Sequence, residues 1–257
     1  MTQEPGREEP ETTDEARTDA LGVVPEPARP DDEAGPADEA GPADEAGPAD
    51  EDLGSSPEVR AYFGEAYDKV AGFTALLREQ GELRGLIGPR EVDRLWERHI
   101  LNSAAVVPYL PQGGVVADVG SGAGLPGVVV AMMRPAVEVY LIEPMERRTT
   151  WLQEVVDRFE LANVQVKRGR AEEYHDAFEA DAVTSRAVAN LTKLARMSMP
   201  LLRHGGEMVV LKGRNVAQEV PGARKVLRSF KASEPEILAG TTVPGVEATT
   251  ILRVRRG

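Results

Sequence analysis

Ala117-Asp118-Val119-Gly120-Ser121-Gly122-Ala123-Gly124-Leu125-Pro126-Gly127 decides how this chain is read. A β-rich run over 115–119 passes directly into three alternating glycines and then into an apolar helical pattern, with Pro126 suited to a first helical turn. Glycines at this junction let the backbone turn tightly and let a ligand come close. The amides opening the next helix then face that ligand and favour negative groups.

Two registers of the glycines lead to two cofactors. Gly122-x-Gly124-x-x-Gly127 fits the dinucleotide fingerprint, but its first glycine stands three residues past the strand end. Gly120-x-Gly122-x-Gly124, with Asp118 just ahead, is the form that holds S-adenosylmethionine, which has no pyrophosphate to cradle. Glu143 ends the next strand, 23 residues after Gly120, where a carboxylate can accept hydrogen bonds from both ribose hydroxyls. Both cofactors carry a ribose, so Glu143 does not separate them.

Outward from this turn, short β-rich runs alternate with helical stretches. Strands are predicted at 115–119, 137–142, 164–167, 181–185 and 207–211, with helices near 126–133, 146–159, 171–177 and 189–202. Trp151, Leu152, Val155, Val156 and Phe159 line one face of the second of these. A basic helix near 215–229 and late strands near 234–239 and 248–254 bring the strand count to seven. The alternation implies a mostly parallel sheet with helices on both faces. Thr184-Ser185-Arg186-Ala187 ends the fourth strand at the topological switch point, which places Arg186 to meet a substrate or the anionic end of a cofactor. After the third strand, Ala171 and Glu172 border the crevice where an adenine would lie, although acids there also suit a helix N-terminus.

Upstream, residues 58–78 and 90–107 carry apolar residues at helical spacing, each with one buried stripe. Residues 1–56 hold 18 acidic and 3 basic residues, eight prolines, no aromatic residue and three DEAGPA repeats between Asp32 and Ala49. Such a segment buries too little apolar surface to offset chain entropy and reads as a disordered acidic low-complexity tail. The remaining residues carry 25 acids and 27 bases, so the acidity of the chain belongs to its tail.

Composition excludes several chemistries. The chain has no cysteine, which removes disulfides, thiolate metal sites and a cysteine nucleophile, the last being what pyrimidine C5 methylation normally needs. Its three histidines, His99, His175 and His204, stand far apart, with no triad and no metal-ligand cluster. An Asp/Asn-Pro-Pro-aromatic signature for exocyclic-amine methylation is absent after the fourth strand. No apolar run reaches the roughly 20 residues of a membrane span, and no signal peptide is visible. The cytoplasm is the expected compartment. Basic clusters at 167–170, 224–231 and 253–256 offer places for phosphates.

Together these segments resemble the bacterial small-subunit ribosomal RNA methyltransferases RsmG, also called GidB. The likeness runs from about Leu95 to Lys212. It rests on Arg98-His99-Ile100-Leu101-Asn102-Ser103, Pro108-Tyr109-Leu110, the glycine loop with Leu125-Pro126-Gly127, Arg147-Arg148, Gly169-Arg170-Ala171-Glu172-Glu173, Thr184-Ser185-Arg186-Ala187 and Leu211-Lys212-Gly213. Asn102 replaces a usual aspartate, and Glu143-Pro144 a usual Asp-Ser.

The resemblance implies a class I S-adenosylmethionine-dependent methyltransferase with a Rossmann-like, seven-stranded, mostly parallel sheet and N-terminal helices. Residues 57–257 would form it, with helices over 57–111 and the core over 112–257. The implied reaction is methyl transfer to N7 of one guanine in the 530 loop of 16S ribosomal RNA, on the small subunit or its RNA, by a monomer. Carried over by position, cofactor contacts fall on Gly120, Leu125, Glu143, Ala171, Glu172 and Arg186, with Arg186 also the catalytic candidate. Arg98, His99, Arg147, Arg148, Arg170 and Lys212 are the candidates facing RNA.

Overall fold

Alternation along the central strands sorts their side chains to two opposite cores. The computed structural model describes residues 50–257, all within one compact unit. The acidic repeats lie outside the described residues. Val116, Val139, Leu141, Val209 and Leu211 pack on one face of the sheet with the N-terminal helices and Trp151. Ala117, Ile142, Val183, Met208 and Val210 pack on the other with Leu191, Leu194 and Leu227. Each of these central strands thus feeds two apolar layers, as a sheet covered by helices on both faces requires.

The strands are β1 (Gly114–Val119), β2 (Val137–Glu143), β3 (Val164–Arg168), β4 (Ala180–Thr184), β5 (Leu202–Leu211), β6 (Glu236–Gly240) and β7 (Thr249–Arg255). They form one seven-stranded sheet in the order β3-β2-β1-β4-β5-β7-β6. β1 to β5 are parallel to one another, and β7 is antiparallel to both β5 and β6. The order reverses between β1 and β4, which creates the crevice expected at a switch point.

The N-terminal layer holds α1 (Asp50–Ser55), α2 (Pro57–Phe63) and α3 (Tyr67–Gln80). A 3-10 turn at Pro89–Arg94 then leads into a π-helical segment, Leu95–Leu101, and a short α4 (Asn102–Ala104). Within the core, α5 (Gly127–Met133) follows β1, α6 (Glu146–Arg158) follows β2, α7 (Leu191–Ser198) follows β4 and α8 (Val216–Ser229) follows β5. Among the described residues no helix is long and apolar enough to cross a membrane.

Three expectations are corrected here. Residues 50–55, expected to belong to the tail, are helical: the Asp50 carboxylate accepts from the amides of Trp96 and Glu97, each at 3.1 Å, and from Arg78 at 3.2 Å. An acid read as part of the tail therefore caps the π-helical segment from outside. Gly54 in α1 sits so close to Trp96 that an added Cβ would lie 2.0 Å from its indole nitrogen. The helix expected at 171–177 is only a 3-10 turn, Ala171–Tyr174, whose one buried residue is Ala171. β5 starts five residues before the expected 207, because the helix after β4 stops at Ser198, ahead of Pro200, and Leu202 pairs with Ala180. Gly205 and Gly206 look like a loop in sequence but are tied to Arg256 by backbone hydrogen bonds at 2.8 Å in both directions.

Candidate active site

Parallel strands end on one edge, and five of them deliver the sequence candidates there: Gly120 after β1, Glu143 at the last position of β2, Arg170 to Glu172 after β3, Arg186 after β4 and Lys212 after β5.

The loop after β1 turns through Gly120, Gly122 and Gly124 with φ of 72°, 53° and 101°, values that L side chains avoid. At Gly120 there is also no room, since an added Cβ would meet Val188 at 2.5 Å. Backbone bonds from Gly120 and Ser121 to the Ile142 carbonyl, at 2.9 and 3.2 Å, clamp the loop to β2. From α6, the buried Trp151 donates its indole N–H to the Ala123 carbonyl at 3.0 Å. Leu125 is buried against this core.

Two carboxylates occupy the loop amides. Glu143 Oε2 accepts from the Gly122 amide and Oε1 from the Met145 amide, both at 3.0 Å, with Arg148 at 3.8 Å. Asp118 Oδ2 accepts from the Gly127 amide at 3.0 Å, while its buried Oδ1 has no partner. Burial, opposed by the Gly127 and Ser121 hydrogen bonds and by the charge of Arg186, pushes the Asp118 pKa up to about 7. The helix-opening amide was expected to face a ligand's negative group. Here the protein's own carboxylate takes it, because a buried amide must find an acceptor.

This arrangement suits one cofactor over the other. The Gly122 and Gly127 amides, which a dinucleotide pyrophosphate would use in the Gly122-x-Gly124-x-x-Gly127 register, are here taken by the protein's own carboxylates. A nucleoside that carries a sulfonium cation and no phosphate fits acidic groups at these positions. The Glu143 carboxylate at the end of β2 supplies such an acid, while Asp118 lies buried beneath the loop on the Gly127 amide.

Beyond β3, Arg170 and Glu172 are exposed and Ala171 is buried. Glu173 Oε1 accepts from the Arg170 amide at 2.7 Å, so Glu173 is the acid that caps the turn. After β4, Ser185 Oγ donates to the Val119 carbonyl at 2.8 Å, and Arg186 bridges to Leu211. Arg186 then reaches the N-terminal layer: Nη1 donates to the Arg98 carbonyl at 3.2 Å and Nη2 to His99 Nδ1 at 3.0 Å. His99 Nε2 lies 2.9 Å from Glu91 Oε2.

The candidates thus fall into two groups. Gly120, Leu125, Glu143, Ala171 and Arg186 lie at or just past the ends of β1 to β4, and Arg186 reaches Arg98 and His99, while Arg147 and Arg170 are exposed on the same edge. His99, expected to face RNA, is buried instead, since its two ring nitrogens are used inside the protein. Lys212 is turned inward as well, with Nζ 3.0 Å from both the Ala189 carbonyl and Glu219.

The C-terminal arginines lie elsewhere. Arg255 pairs with Glu207 and Arg253 with Glu236, while Arg256 donates to carbonyls of Met199, Pro200 and Leu202. β7 runs antiparallel to β5, so these residues sit toward the opposite edge, as ion pairs and caps of the fold. α8 likewise carries Arg224, Lys225 and Arg228 away from the crevice as it returns to β6.

Sequence reasoning placed Asp118 beside the loop but gave it no role, and it missed Glu91. Nothing near Glu91 announced its partner, which lies eight residues on and meets it only through the irregular helical segment.

A sheet of this order, a glycine turn after β1 and an acid at the end of β2 define a class I S-adenosylmethionine-dependent methyltransferase. More particularly, the chain belongs to the family described as rRNA small subunit methyltransferase G (GidB), whose model matches residues 66–242. The ribosomal RNA small subunit methyltransferase G of Beutenbergia cavernae is 47% identical over 76% of this chain and 92% of its own. That of Leifsonia xyli is 52% identical over 68% of this chain and 84% of its own. Solved structures align more distantly: precorrin-6y C5,15-methyltransferase from Geobacter metallireducens is 15% identical with a TM-score of 0.47, covering 60% of this chain and 87% of that one. An O-methyltransferase from Thermotoga maritima is 18% identical with a TM-score of 0.48, covering 60% of this chain and 64% of that one. Likeness at that distance says nothing about the site.

Proposed function

We propose that this protein transfers a methyl group from S-adenosylmethionine to N7 of one guanine in the 530 loop of 16S ribosomal RNA, working as a monomer in the cytoplasm. What supports the choice of acceptor is that neither His99 nor Asp118 is free to take a proton. The lone pair of His99 faces Arg186, and Asp118 is fully buried on the Gly127 amide. A hydroxyl or exocyclic amine would need deprotonation during attack. Guanine N7 has an exposed lone pair and no proton, so it needs none.

Bound S-adenosylmethionine supplies an electrophilic methyl group. The chain's own residues hold and orient. Glu143 has lone pairs to accept ribose hydroxyls, Ala171 and Glu172 border the adenine side, and Gly120 and Leu125 shape the floor. Arg186 stands between cofactor and acceptor, where its charge favours an RNA phosphate or the cofactor carboxylate. Arg98, Arg147, Arg148 and Arg170 are the cations that would track the RNA backbone on this edge. Orientation of this kind can lower a barrier by about 7–11 kcal/mol, so positioning alone can carry the reaction.

The test is incubation of the protein with methyl-labelled S-adenosylmethionine and either small subunits or naked 16S RNA, followed by nucleoside analysis. Label in 7-methylguanosine is expected with at least one substrate. Label in any other nucleoside, or in neither RNA, would overturn the proposal. Nicotinamide dinucleotides should show no binding by calorimetry under conditions where S-adenosylmethionine binds.

A further inference from the structure

We propose that Glu91 and His99 form a positioning relay that aims Arg186 into the crevice, so that the N-terminal layer completes the catalytic edge of the sheet. The proposal rests on the reading of Arg186 as a site residue. It reassigns His99 from contact with RNA to control of Arg186, and it gives Glu91 a role.

Hydrogen-bond chemistry fixes the direction of the relay. A guanidinium only donates, so His99 Nδ1, 3.0 Å from Arg186 Nη2, must present its lone pair. A neutral imidazole then carries its single proton on Nε2, where Glu91 Oε2 accepts it at 2.9 Å. A carboxylate selecting the tautomer and ring orientation of a histidine is the same device that steers histidines in metal and triad sites. Were His99 cationic, Nδ1–H would point at another donor. Burial, joined by the positive charges of Arg186 and Arg98, holds its pKa at about 3.

Both ends of Arg186 are thereby tied to different layers. On the sheet side, its backbone is set by the bridge to Leu211 and by the preceding Ser185 bond to Val119. On the helical side, its guanidinium meets two successive residues of the π-helical segment, the carbonyl of Arg98 and the ring of His99. Two bonds from two nitrogens fix the plane of the guanidinium as well as its location. An arginine held only by its backbone would sample many rotamers, and small misplacements near a reacting centre can cost about a hundredfold in rate.

The experiment compares Glu91→Gln, Glu91→Ala, His99→Asn and His99→Leu. Glutamine at 91 keeps an oxygen that accepts from Nε2–H, and asparagine at 99 keeps an acceptor near the position of Nδ1. The relay predicts that His99→Leu and Glu91→Ala lower kcat, by about tenfold or more for His99→Leu. KM for RNA and affinity for S-adenosylmethionine should stay within about twofold, and the Gln and Asn variants should recover most of the rate. An unchanged kcat with a raised KM for RNA would return His99 to substrate binding and overturn the relay.

Nitrogen-15 spectra of labelled histidines give a second reading that needs no substrate. His99 should hold the Nε2–H tautomer without titrating between about pH 5 and pH 8, and Glu91→Ala should mix the tautomers. An Nδ1–H tautomer, or a His99 that titrates in that range, would refute the relay even in a chain that methylates RNA normally. If wild type instead fails to form 7-methylguanosine, the proposed reaction falls while the spectra still decide the relay.

Discussion

At the residue scale, two carboxylates govern the crevice. Asp118 is fully buried with its pKa raised to about 7, against an ordinary value near 3.9. A group whose folded-state pKa is raised contributes stability that is complete below the unfolded value and is lost as pH rises through the folded one. Asp118 should therefore cost stability between about pH 4 and pH 7, with a slope of up to about 1.4 kcal/mol per pH unit. His99, held low at about 3, works the other way: its contribution is present above its unfolded value near 6.5 and is lost as pH falls toward 3. Asp118→Asn keeps an acceptor for the Gly127 amide and removes the ionisation. Urea unfolding should show the variant gaining on wild type from pH 5 to pH 8; parallel pH profiles would mean that Asp118 does not titrate in this window. For Glu143→Ala, loss of charged hydrogen bonds should weaken S-adenosylmethionine binding by about 1–3 kcal/mol, read by calorimetry. Unchanged affinity would remove Glu143 from the site.

At the scale of elements, the parts that obey a simple period were readable. β1 to β4 fall within a residue or two of their expected bounds because short β-rich runs give way to glycine at β1 and to charged or hydroxyl residues at β2 to β4. The stripe on α6 was readable for the same reason: Trp151, Leu152 and Val155 are all buried. What was not readable depends on partners distant in sequence. α1 opens with three acids, Asp50, Glu51 and Asp52, and looks like more tail until Asp50 meets Trp96 and Glu97. The early half of β5 hides behind Gly205 and Gly206. For the candidate site, the convergence of Gly120, Glu143 and Arg186 on one side of the sheet was legible because parallel strands all end there. The Glu91–His99 contact was not, because an irregular helical segment has no fixed period to count along. α1 itself can be tested. Gly54→Ala puts a methyl group 2.0 Å from Trp96 Nε1, and strain of this kind costs about 1–3 kcal/mol. Urea unfolding should record that loss; an unchanged midpoint would mean that α1 is not packed on Trp96.

At the scale of the whole molecule, the direction of the strands separates two kinds of arginine. Those on the edge where β1 to β5 end include the exposed Arg147 and Arg170, whereas Arg253 and Arg255 are paired with acids toward the other edge. Arg147→Ala and Arg170→Ala should each weaken RNA binding and reduce the salt slope by about one, measured by filter binding at several ionic strengths. Arg255→Ala should leave that slope unchanged, and a loss equal to that of Arg147→Ala would place RNA on the wrong edge.

The claim on which the rest depends is that a nucleoside methyl donor lies in the switch-point crevice and serves guanine N7 in 16S RNA. Mapping 7-methylguanine along 16S RNA from cells with and without this gene tests it most directly. The prediction is one modified guanine in the 530 loop that disappears with the gene and returns with the wild-type chain. An identical map in both strains, or a lost modification at a different nucleoside, would contradict it.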